Sequence, residues 1–131
     1  MTPWSRLKLI TPLLAATWLC FSSSSLLAQE MSAATGQEIQ QLLAALEGSG
    51  CQFERNGRLY SGAEARKHLQ RKLDYLQDHL QVQSTEDFIN QGASTSSSSG
   101  KAYQVHCQGV VAVTSQQWLL STLQRLRSSK N

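Results

Sequence analysis

Glu64, His68, Lys72, Tyr75 and His79 follow one another at spacings of four, four, three and four. On a helix that spacing stacks them along one flank. Glu64 touches His68 one turn away, and His68 touches Lys72. The row offers a base, a cation and an acid beside an apolar stripe, a boundary where titratable groups become useful. The sharper reading is His68 as a general base. The plainer reading is a solvated flank with ordinary helix pairs. His68 and His79 are eleven residues apart, about 16 Å along an axis rising 1.5 Å per residue. They share no metal. His106, beside Cys107, points to the opposite face of a strand. No metal site and no cofactor is expected.

The serines Ser94 and Ser96 to Ser99, with Thr95, lie between Gly92 and Gly100. Gly100-Lys101 looks like the end of a phosphate-binding loop, but seven residues separate the two glycines where four are needed. Ala102 also follows Lys101 where a hydroxyl should hold magnesium. Ser98-x-x-Lys101 matches an S-x-x-K motif without its companion motifs. The stretch reads as a flexible linker or as a binding loop.

The first 28 residues read as a secretory leader. Arg6 and Lys8 precede an uncharged run from Leu9 to Phe21, 13 residues long, too short to span a bilayer core of about 30 Å. Cleavage after Ala28 leaves residues 29–131 as one small domain; a second small-x-small site ends at Ala34. A lipidated Cys20 is disfavoured because Leu19 occupies a position that lipid attachment wants small. An uncleaved anchor reaching Leu27 would have to tolerate Ser22 to Ser25. The whole chain of 131 residues carries a net charge of +3. Without Arg6 and Lys8, ten basic residues face nine acidic ones. That balance does not suggest a nucleic-acid binder, and the membrane is met only through the leader.

Export leaves Cys51 and Cys107 in an oxidising compartment, where disulfides persist. Their one intramolecular pairing closes a loop of 57 residues, worth about 4 kcal/mol in the chain-entropy model.

The elements that position these groups are legible from period and punctuation. Thr35 to Glu47 reads as a helix through Ile39, Leu42, Leu43 and Leu46. Cys51 to Tyr60 reads as a hairpin turning at Asn56-Gly57, the pair a type I′ turn prefers. Ser61 and Glu64 form a capping box opening a helix to about Val82, with Ala65, Leu69, Leu73, Leu76 and Leu80 as its core stripe. Ser84 and Asp87 cap a shorter helix with Phe88 and Ile89. Lys101 to about Val113 reads as one strand, with Tyr103, Val105 and Cys107 on one face. Ser115 opens a last helix with Trp118, Leu119, Leu120, Leu123 and Leu126. The sum is an α+β domain: helices on a small antiparallel sheet made of the hairpin plus the late strand.

Across most of residues 29–131 the sequence resembles the YfeK-like family of small exported bacterial proteins. The matching pieces are Phe53-x-Arg55-Asn56-Gly57 and Glu64-Ala65-x-x-His68-Leu69-x-x-Lys72-Leu73. Ser84-x-Glu86-x-Phe88-Ile89, Ala93-Ser94 and Gly100-Lys101-x-Tyr103 follow in the same order. The resemblance implies export and raises His68, Lys72 and the serine loop above ordinary surface. The family itself is uncharacterised. Ser99-Gly100-Lys101-Ala102-Tyr103 is also similar to the S-G-x-x-Y loop of periplasmic lysozyme inhibitors, which are β-rich.

These readings converge on a non-enzymatic periplasmic binding domain. Its surface would combine Arg55, Asn56, His68, Lys72, Ser99, Lys101 and Tyr103. Arginine and lysine beside hydroxyls suit an anionic ligand or the acidic patch of an envelope protein. The alternatives are an inhibitor of a cell-wall lytic enzyme and a small enzyme using His68 as base. The binding surface exists only if the serine loop folds onto the long helix.

Overall fold

The computed structural model describes residues 29–131; the expected leader lies outside them. The elements in order are α1 (Ala33–Gly48), β1 (Gln52–Arg55), β2 (Arg58–Tyr60), α2 (Gly62–Asp78), α3 (Thr85–Gly92), β3 (Gln104–His106), β4 (Val113–Thr114) and α4 (Ser115–Ser128). No helix among the described residues is long and apolar enough to cross a membrane.

Each helix starts at a side chain that satisfies its free N–H groups. Ser32, Ser61, Ser84 and Thr114 accept from the backbone three residues on, and the last three form full capping boxes with Glu64, Asp87 and Gln117. The hairpin turns where expected. Asn56 (φ 51°) and Gly57 (φ 77°) both take the left-handed conformation that a type I′ turn requires.

The strands form one antiparallel sheet in the order β2-β1-β3-β4. Phe53 pairs with Val105 across β1 and β3, and both are buried. Their neighbours Gln52, Glu54, Gln104 and His106 face the other way and none is buried, so one sheet face carries the helices. Ile39, Leu42, Leu43 and Leu46 of α1 meet Leu69, Leu73 and Leu76 of α2, Phe88 and Ile89 of α3, and Leu119 and Leu123 of α4 in one core. Gln52 faces His106 in the register. One step further, the Cys51 and Cys107 sulfurs lie 2.01 Å apart, at disulfide distance, tying the start of β1 to the end of β3. Gly62 lets α2 begin against α1, since a Cβ there would stand 2.7 Å from the Glu47 carbonyl oxygen.

Two expectations are corrected. The long helix ends at Asp78, not near Val82. Leu80 turns left-handed (φ 53°), Gln81 N–H closes back to the Leu76 carbonyl at 2.9 Å, and Leu80 is 41% exposed rather than core. This is a Schellman-like closure with leucine where glycine is usual. The run from Lys101 to Val113 is not one strand. β3 holds three residues, the chain turns at Gly109 (φ 76°), and only then returns as β4. Val110 and Val111 stand exposed at that turn. Their β-branched side chains signal extended backbone, not burial.

The serine stretch is a folded turn rather than a linker. Thr95 bridges to Ala102. Ser96 N–H donates to the Lys101 carbonyl at 2.9 Å, Gly100 N–H to the Ser96 carbonyl at 2.8 Å, and Tyr103 N–H to the Ser94 carbonyl at 2.9 Å. Ser94 and Ser96 are buried. Hydroxyls satisfy the backbone here, so a polar segment packs without apolar side chains.

Candidate functional site

The loop does fold onto the long helix, and Tyr103 is the meeting point. It leaves the serine turn, enters the core at 6% exposure and brings its hydroxyl to the flank of α2. His68 Nε2 lies 3.1 Å from that hydroxyl. Lys72, one helical turn on, donates to it at 3.1 Å and to the Thr95 carbonyl at 2.9 Å. The His68 ring meets the Tyr103 ring edge-on, and the Lys72 ammonium sits 5.1 Å from the Tyr103 ring centroid.

Arg55 arrives from the end of β1, on the same strand face as Phe53. Its Nε is buried and has no hydrogen-bond partner among the described residues. The charges are crowded. Burial first, then Arg55, Lys72 and Arg71, hold His68 below its ordinary pKa. Burial and Arg55 do the same to Lys72. Burial raises the Tyr103 phenol against the opposing pull of Arg55. The same surroundings disfavour the imidazolium, and a neutral His68 can accept at Nε2 from the tyrosine hydroxyl while that oxygen accepts from Lys72.

A cleft of about 240 Å³ opens between the hairpin and α2 beside this group. Phe53, Tyr60, Ala65 and Leu69 supply apolar walls, and Arg55, Lys67, His68, Arg71 and Tyr103 supply the polar ones. Two carboxylates also line it, and each is engaged. Glu64 accepts from Ser61 N–H at 2.9 Å in the capping box, and Glu54 pairs with His106 at 3.2 Å. Arg55, Lys67 and Arg71 have no ion pair among the described residues.

Asn56 and Ser99 form a neighbouring cluster. Asn56 Nδ2 donates to the Ser96 hydroxyl at 3.1 Å, and Ser99 donates to Asn56 Oδ1 at 2.5 Å. The hairpin tip thus braces the serine turn. Lys101 is tied in through its backbone alone, its N–H donating to the Ser99 hydroxyl at 3.2 Å, and it is not among the residues lining the cleft. His79 stacks on Tyr75 at 4.1 Å between centroids, away from His68. Lys67 and Arg71 were not picked out by sequence reasoning. Their signal was available, because Arg71 stands one turn from both Lys67 and His68 on α2.

Over residues 33–127 the chain matches the family described as "Family of unknown function (DUF5329)". No curated protein and no solved structure matches the chain.

Proposed function

The chain belongs to the DUF5329 family, a family of unknown function, and from that premise we propose that it is a non-enzymatic binding domain of the bacterial periplasm. Its cleft takes an anionic group, either on a small ligand or on the acidic patch of an envelope protein. The observation that carries this reading is Arg55, a guanidinium with a buried, unpartnered Nε, lying close to His68 and Lys72. A buried donor without a partner is unfavourable by about 1–3 kcal/mol. An incoming carboxylate offers that donor an acceptor and offsets the repulsion between Arg55 and Lys72. The apolar walls favour an anion bearing an aliphatic group.

N-acetyl-leucine carries one carboxylate and one such group, and calorimetric titration of the purified protein with it is the direct test. Saturable binding is expected, weakened at least tenfold by Arg55→Ala. N-acetyl-leucinamide, which lacks the charge, should not bind. No heat from N-acetyl-leucine at millimolar concentration would remove the reading.

The periplasmic part rests on Arg6, Lys8, the apolar run after them and the similarity to the YfeK-like proteins. The mature amino terminus, read by mass spectrometry of the periplasmic fraction, should be Gln29. Cytosolic protein beginning at Met1 would overturn it.

A second reading, inhibition of a cell-wall lytic enzyme, draws on the braced serine turn, whose tip from Ser97 to Gly100 is exposed. Tyr103 lies buried beneath that tip, so the tip would have to act without it. Lysozyme assays with micromolar protein decide this, and unchanged rates would discard it. The surroundings of His68 disfavour its charged form, as a base requires, but its Nε2 is already engaged by Tyr103. An activity abolished by His68→Ala without loss of stability would favour that third reading.

A further inference from the structure

We propose that the natural occupant of the cleft is an acidic peptide segment whose second carboxylate seats over Lys67 and Arg71; this rests on the anion reading of the cleft. A shallow groove adjoins the cleft on the next flank of α2, and Lys67 and Arg71 line both depressions. They form the ridge between them. The other charged groups of the groove are engaged, Arg66 with Glu47, while Gln70 holds Asp74 at 2.9 Å. Lys67 and Arg71 are exposed and have no ion pair among the described residues.

The charge is segregated to suit such a partner. Of the ten basic side chains from residue 29 on, seven come from the hairpin, α2 and Lys101; the other three are Arg125, Arg127 and Lys130. The same elements carry four of the nine acidic residues, Glu54, Glu64, Asp74 and Asp78, so seven basic against four acidic leaves them a net +3 in a near-neutral domain. Lys67 and Arg71 lie one turn apart, about 6 Å along the axis. Arg55, Lys67 and Arg71 all line the cleft, so one short extended peptide, advancing about 3.3 Å per residue, can present one carboxylate to Arg55 and another to the ridge. The apolar floor of Phe53 and Leu69 favours a peptide over a phosphodiester chain, because an aliphatic side chain between or beside the carboxylates fills it. Two linked anions bind more tightly than one, since the second contact becomes intramolecular.

Calorimetry of the purified protein with acetyl-Glu-Ala-Leu and acetyl-Gln-Ala-Leu tests this from the ligand side, with no dependence on variant folding. The glutamate peptide should bind at least tenfold more tightly than the glutamine peptide. In Lys67→Ala/Arg71→Ala that ratio should fall to about one; in Arg55→Ala both peptides should weaken while the ratio persists. Equal affinity of the two peptides for the unaltered protein would overturn the second seat and leave the cleft reading standing. So would binding of N-acetyl-leucine alone. No binding of N-acetyl-leucine would end both proposals. A ten-nucleotide poly-dT competing as strongly as the glutamate peptide would overturn the peptide assignment.

Discussion

The Lys72 ammonium donates to the Tyr103 hydroxyl across 3.1 Å, joining α2 to the segment that follows the serine turn. His68 approaches the same oxygen at 3.1 Å, so one phenol serves two side chains of the helix. Removing that oxygen leaves His68 Nε2 without this partner and takes one of two acceptors from Lys72 at a half-buried site. Tyr103→Phe should lower stability by about 1–2 kcal/mol, because the donor keeps only its Thr95 contact. Urea denaturation measures this. A change within about 0.5 kcal/mol, the usual range for surface substitutions, would mean that water replaces the hydroxyl without loss.

Stability should fall in two steps as pH drops. His68 is held below its ordinary pKa by burial and by Arg55, Lys72 and Arg71. The unfolded chain therefore takes up the proton first, and stability declines from about pH 6.5 toward the folded-state value. Glu38 is lowered from 4.5 to about 2, chiefly by Arg127. Its contribution is complete above pH 4.5 and is lost as pH falls toward 2. Because Arg127 is 47% exposed, solvent screening limits that second step to about 1 kcal/mol. In denaturation curves taken from pH 3 to 8, His68→Gln should flatten the first step, and Glu38→Gln should reduce the second without abolishing it, since Glu86 and Asp87 are also held below their ordinary pKa. A profile unmoved by either substitution contradicts these assignments.

Reducing the Cys51–Cys107 link should destabilise the protein by about 4 kcal/mol, the chain-entropy figure for a closed loop of this size. The sequence separation is 56. Denaturation with and without a thiol reductant gives the difference. A loss below 1 kcal/mol would show that the unfolded chain is already compact around these residues.

Asn56 has two duties, a left-handed turn and a brace for the serine loop. Asn56→Gly separates them, since glycine keeps the turn and removes the side chain. Amides from Ser97 to Lys101 should exchange faster by at least tenfold while β1 and β2 stay protected. Unchanged exchange in the loop would mean that its own backbone bonds hold it.

What was legible in the sequence is what local chemistry decides. Ser61, Ser84 and the Asn56-Gly57 turn act within three or four residues, so their geometry is written in adjacent letters. The stripe of Ala65, Leu69, Leu73 and Leu76 follows from helical period. The cysteine pair followed from there being one partner to choose. The stripe failed at Leu80 because an apolar letter does not say where a helix closes.

Tertiary structure alone brought Arg55 to His68 and Lys72, seated Tyr103 between the latter two, and made an ordered turn of the serines. It alone matched Arg127 with Glu38, 89 residues away. Those meetings depend on how α2 docks against the hairpin and how α4 crosses α1. Docking is set by the summed packing of the whole core, which no short window of sequence contains.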